Sequence, residues 1–179
     1  MKNLSNLQTE IINNEDPVIF VEAAAASGKT AIIVEKIKKE LSANKGSVVA
    51  FTFTNAAAEE MYERVGQVDN ANLFIGTIHS YCVRLLLSHG IDKALKYCED
   101  QRFDELFQLV KKNIDCIKPV YCLICDEMQD CNHDQFEFIF EMGRYAEVIF
   151  GGRCQRVKAF RDIVPAIVEQ RYSIESLFE

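Results

Sequence analysis

No apolar run in this chain approaches the ~20 residues that a bilayer-spanning helix needs, so the sequence predicts no membrane span. The first residues, MKNLSNLQTEIINNEDP, contain no apolar signal core, which predicts against secretion. There is no Pro- or Gly-rich linker, no repeat and no low-complexity tract, so the 179 residues read as one domain with a sizeable core. Seven cysteines, an odd number at irregular spacing, argue against a disulfide framework and for reduced thiols in the cytoplasm. Cys122 and Cys125 form a C-x-x-C inside an apolar run. Residues three apart on a strand face opposite ways, which disfavours a metal or redox pair. Excess positive charge is also lacking. A net charge of −7 excludes a generic polyanion-coating protein but leaves room for a local nucleic-acid groove.

What is present begins with VIFVEAAAASGKT, residues 18–30. A short apolar strand leads into a loop of small residues, then Gly28-Lys29-Thr30, then a helix with Ile32, Ile33, Val34, Ile37 and Leu41. That is the layout of a phosphate-binding loop. Backbone N–H groups of Ala26, Ser27 and Gly28 and the helix N-terminus would face an anion together. Lys29 supplies a full positive charge, and the Thr30 hydroxyl suits a Mg²⁺ ion. The generic pattern G-x-x-x-x-G-K-[ST] asks for Gly where this chain has Ala23. An Ala-rich turn before an ordinary helix is the competing reading. An alanine forced to positive φ costs about 1–2 kcal/mol.

Five apolar runs read as strands, at 18–21, 48–53, 72–76, 120–125 and 147–150. Helical patterns separate them at 29–41, 56–65, 79–88, 103–114 and 134–142. This alternation predicts an α/β fold with a mostly parallel sheet covered on both faces. The stretch 90–118 contains no strand pattern and reads as helical filler. The fourth run ends in Asp126-Glu127. Carboxylates at the carboxyl end of a parallel strand stand where such sheets bind ligands. Asp126 could hold Mg²⁺ and Glu127 could polarise an attacking water. An acidic helix start is the alternative.

Further segments resemble, in order, the motifs of the first RecA-like domain of UvrD/Rep-family superfamily 1 helicases. Leu4-Ser5-Asn6-Leu7-Gln8 resembles the Q motif, and residues 23–30 resemble motif I, where this family often has Ala first. TFTNAAAEEM, residues 52–61, is similar to motif Ia, and GTIHSYC, residues 76–82, to the GTFHSFC motif. DEMQD, residues 126–130, resembles motif II, and Gly151 to Arg161 resembles motif III.

The resemblance implies a three-layer P-loop NTPase domain of RecA-like order, with the Asp126 strand separated from the loop strand by the motif III strand. It implies ATP and Mg²⁺ as cofactors. Gln8 would meet the adenine edge, Lys29 the phosphates, Thr30 and Asp126 the metal, Glu127 the water and Gln155 the γ-phosphate. Lys36 stands where an Arg usually follows motif I and joins the nucleotide set. Single-stranded DNA would meet Phe53, Asn55, Thr77, His79, Phe160 and Arg161. Aromatic stacking there needs no sequence readout. From its own residues, Phe53 could equally be core at a strand end, Phe160 a surface aromatic, and His79 a helix-capping or backbone-positioning residue.

Departures accompany the resemblance. Ala26 stands for a Gly, Ala56 for a Lys, Gly152 for an Asp and Lys158 for a Tyr. Forty-five residues between Ser80 and Asp126 leave no room for the family's large inserted subdomain, which is reduced here to the helical segment 90–118. No second RecA-like domain follows motif III, so the expectation is half of a helicase, slow alone and completed by another chain. A degenerate module that binds nucleotide or a partner without catalysis is the alternative.

Overall fold

A computed structural model of the chain describes residues 4–23, 28–66 and 71–154. Five strands form one sheet in the order β1-β5-β4-β2-β3, all parallel: β1 Val18–Ala23, β2 Val48–Thr52, β3 Leu73–Thr77, β4 Cys122–Cys125 and β5 Val148–Cys154. The strand carrying Asp126 is thus parted from the loop strand by β5, as the resemblance implies.

The period of two in these strands builds a three-layer domain. Val48, Ala50, Cys122, Ile124 and Phe150 join Ile33 and Ile37 of α2 (Lys29–Ala43) and Met61 of α3 (Asn55–Val65) on one face. Their neighbours Val49, Phe51, Leu123, Cys125 and Ile149 pack on the other. There they meet α4 (Ile78–Leu87), α5 (Lys93–Glu99), α6 (Phe103–Lys112) and α7 (His133–Gly143). Strands buried on both faces read as unbroken apolar runs. Cys122 and Cys125 fall in opposite layers, so they form no pair.

Local boundaries follow caps more than apolarity. The expected helix 103–114 ends at Lys112, and a separate 3₁₀ turn covers Ile114–Cys116. The expected strand 120–125 starts at Cys122, whereas the fifth strand runs on past Phe150 to Cys154. An additional helix, α1 (Asn6–Asn13), begins in a capping box. The Ser5 hydroxyl accepts from the Gln8 N–H, and the Gln8 side chain accepts from the Ser5 N–H at 2.8 Å. Two backbone donors at the start of the helix are satisfied this way.

Candidate nucleotide site

Parallel pairing brings every strand's carboxyl end to one edge, and several of the candidate residues stand at or just past it. Gly28 opens α2 with φ 88°, a left-handed conformation that glycine adopts without strain. Lys29, the first helical residue, reaches across β5 to the end of β4. Its Nζ lies 3.0 Å from Asp126 Oδ1 and donates to Glu127 Oε1. Gln129, in the 3₁₀ turn Met128–Asp130, donates to the other Glu127 oxygen. Sequence reasoning gave Gln129 no role; its position two residues after Glu127, in the turn that follows, was the available signal.

Asp126 continues the ladder, its N–H donating to Phe51 O at 2.9 Å. Glu127 then turns out of the strand at φ 49°, a conformation uncommon for a residue with a Cβ. That turn separates the two carboxylates. The Asp126 side chain is 13 % exposed and the Glu127 side chain 34 %. Strained backbone of this kind clusters at functional sites.

The charges tune one another. Burial raises the Asp126 carboxyl above its ordinary range, against the pull of Lys29. Burial also pushes Glu127 upward, but the bonds from Lys29 and Gln129 outweigh it and hold Glu127 below its ordinary range. Lys29 is lowered by burial and raised more by both carboxylates, so it stays cationic.

Gly152 explains part of this geometry. A Cβ there would lie 2.9 Å from Lys29 Cδ and 3.5 Å from Asp126 Oδ1. The lysine stem occupies space that the family's usual Asp would fill. The donor set fits Mg²⁺, a hard cation commonly held by one or two carboxylates plus substrate phosphates. Asp126 and Thr30 are oxygen donors on the elements that flank Lys29.

A second group of candidates sits along the same edge. Thr52 and Thr77 are register partners at the ends of β2 and β3. Phe53 follows β2 and is 38 % exposed, so it is not core. Asn55 beside it is exposed as well. Thr77, not His79, caps α4, accepting from the Ser80 N–H at 3.2 Å. His79 instead stacks on Phe103, ring centroids 4.1 Å apart, and burial lowers its pKa, which keeps it neutral. Its capping role is therefore corrected.

Lys36 is also corrected. It lies about two turns along α2 from Lys29 and is 1 % exposed, and its ammonium serves Glu40 and the end of α1. Gln8 is half-buried over the start of α2: its Nε2 lies 2.8 Å from where a Cβ on Gly28 would stand. Ala26, Ser27, Gln155, Phe160 and Arg161 lie outside the described residues. No helix among the described residues is long and apolar enough to cross a membrane.

The raised Asp126 pKa has a consequence for stability. A carboxyl whose folded pKa exceeds its unfolded value costs stability once ionised, a cost that grows as pH rises from the unfolded value through the folded one. Asp126→Asn is therefore expected to leave the free protein at least as stable as wild type at pH 7, the lost ion pair with Lys29 offsetting part of the relief. The relief should vanish near pH 3. Thermal melts at both pH values test this, and a loss of stability at pH 7 would contradict it.

Fold and site together define a RecA-like α/β domain with its polar cluster at the carboxyl edge of the sheet. The sequence profile of the UvrD/REP helicase N-terminal domain matches residues 4–119, and the chain belongs to that family. Over 101 residues it is 36 % identical to DNA helicase II of Salmonella typhimurium, covering 53 % of this chain and 14 % of that protein. It is 35 % identical over 101 residues to DNA helicase II of Escherichia coli, again covering 53 % of this chain and 14 % of that protein. Identity to ATP-dependent DNA helicase UvrD1 of Mycobacterium tuberculosis is 31 % over 125 residues, 64 % of this chain and 16 % of that protein. The chain thus spans a small fraction of these relatives' lengths.

Proposed function

We propose that this chain is the ATP-binding half of a DNA helicase motor, working in the cytoplasm. The carrying observation is Lys29, held between Asp126 and Glu127 at the carboxyl edge of the sheet. On nucleotide binding, the ammonium exchanges carboxylate partners for phosphate oxygens. Asp126 and Thr30 would then hold Mg²⁺, which would supply charge neutralisation on the phosphates. Glu127, kept ionised by its setting, orients a water and accepts its proton as that water attacks the γ-phosphorus. The bond to the bridging oxygen breaks and ADP departs. Gln155 reports the γ-phosphate to the DNA-facing segments. Single-stranded DNA lies across the ends of β2 and β3, its bases stacked on Phe53; the motif resemblance adds Phe160 as a second stacking ring and Asn55, Thr77, His79 and Arg161 as further contacts. A second RecA-like domain, supplied elsewhere in the polypeptide or by another chain, closes over the nucleotide.

The test is a pair of titrations on the purified chain, with Mg-ATP and with a fluorescent oligo-dT. Micromolar to millimolar binding of Mg-ATP is expected, together with weak DNA binding. Base stacking is worth about 1–3 kcal/mol per base, so Phe53→Ala should weaken DNA binding roughly tenfold. No ATP binding would overturn the motor reading. ATP binding with no DNA response in either protein would favour a nucleotide-binding module without motor activity.

A further inference from the structure

We infer that Lys36 is a positioning residue for adenine recognition: it clamps α1 along α2 so that Gln8 is held over Gly28. This rests on the nucleotide reading above and deepens it.

Lys36 is a lysine with almost no solvent access, and its three donors are all used. Nζ pairs with Glu40 Oε1 at 2.8 Å and donates to Asn14 O at 2.9 Å and Ile12 O at 3.4 Å. Both carbonyls belong to the carboxyl end of α1 and the residue beyond it, where backbone acceptors lack helical partners. Lys39 adds a bond to Ile12 O at 3.3 Å. Glu40 is buried in turn, and its second oxygen accepts from the Tyr121 hydroxyl at 3.1 Å. Tyr121 immediately precedes β4, the strand that ends at Asp126. One buried network therefore joins α1, α2 and the metal-side strand.

The other end of α1 is fixed at a different point on α2. Gln8 abuts Gly28, the residue that opens α2. From Gln8 to Asn14 the chain climbs roughly 9 Å, and from Gly28 to Lys36 roughly 12 Å, at about 1.5 Å per residue. The helices run side by side in the same sense, pinned at both ends. A buried ion pair is weak evidence for stability and is best attested as a device that fixes register. Here the register in question is where the Gln8 amide stands relative to Gly28 at the start of α2.

Removing Lys36 alone would strand the Glu40 charge, so the variant to use is Lys36→Met/Glu40→Gln, with Lys36→Arg as the conservative control. Each is titrated with Mg-ATP and with Mg-tripolyphosphate, which has the phosphates but no base. Losing one or two well-placed hydrogen bonds should lower ATP affinity about three- to tenfold, with tripolyphosphate affinity within about twofold. Adding Gln8→Ala should cost little more, because both changes remove the same contact. Amide hydrogen exchange should quicken in Asn6–Asn13 and stay unchanged in Val48–Thr52. Lys36→Arg should keep ATP selectivity.

Equal losses for both ligands, unchanged ATP affinity, or unchanged exchange in α1 would each overturn the assignment while leaving the nucleotide reading intact. A wild-type chain that binds neither ligand would overturn both.

Discussion

Lys29→Ala is expected to lower Mg-ATP affinity by roughly a hundredfold or more, the scale of removing one partner of a desolvated charge pair. The side chain is 10 % exposed and its ammonium already sits where two carboxylates converge, so no exposed lysine can substitute for it. The free protein should weaken as well. Without the ammonium, Asp126 and Glu127 are left as adjacent like charges, and the force that holds Glu127 below its ordinary range is gone. In the wild type, Lys29's raised pKa contributes stability that is full below about 10.5, its unfolded value, and is lost as pH rises through the folded one. Glu127's lowered pKa contributes stability above its unfolded value, lost as pH falls through the folded one. The stability gap between wild type and Lys29→Ala should thus be widest near neutrality and narrow toward both extremes. Calorimetric titration with Mg-ATP and melts across pH check the two halves. Equal ATP affinity in the two proteins would remove Lys29 from the site.

Much of this was legible because parallel α/β folds write themselves in apolar runs. All five expected strands exist, and the face alternation of Val48 to Phe51 sorts them into two core layers. Asp126 and Lys29, nearly a hundred residues apart, were matched by motif order, since spacing alone does not say which strand ends are neighbours. Sheet order rested on resemblance for the same reason. The misses have physical causes. Asn113 ends α6 early at φ −125°, and its side chain bonds Leu109 O at 2.8 Å, a local competition that apolar periodicity does not register. The helix α1 is short, and its start is declared by the Ser5–Gln8 capping box rather than by an apolar stripe. Lys36 joined the nucleotide set because it stands where the family usually has an Arg after motif I. Only the packing of α1 shows that its charge points to the carboxyl end of α1 and to Glu40. His79 resembled a cap because it sits at a helix start, but Thr77 two residues earlier had the better geometry for that bond.

ATP turnover by this 179-residue chain alone is expected to be slow and to respond little to single-stranded DNA. The described site contains a lysine, an oxygen donor pair suited to a metal and an ionised base, and the described ion-pair and hydrogen-bond partners of Lys29 and Glu127 include no arginine. In phosphoryl transfer an arginine supplied from outside the site is worth about 10³–10⁵ in rate, roughly 4–7 kcal/mol of barrier. What remains is positioning and proton acceptance. Glu127→Gln should therefore lower the residual rate by a further 10²-fold or so, the low end for loss of a general base. It should leave Mg-ATP affinity nearly unchanged, since Lys29 turns from position 127 to the phosphates in either protein and the amide removes one like charge near them. Phe53→Ala should leave the basal rate unchanged, because the exposed ring follows β2 and is not among the partners of Lys29, Asp126 or Glu127. Adding a second RecA-like domain, as a separate chain or in a fusion, should bring DNA stimulation to the wild type and not to Glu127→Gln. A coupled assay of ADP release, with and without oligo-dT, decides among these outcomes. Rapid DNA-stimulated turnover by the chain alone, lost in Glu127→Gln and falling on dilution, would mean that a second copy completes the site and that half a motor is the wrong description.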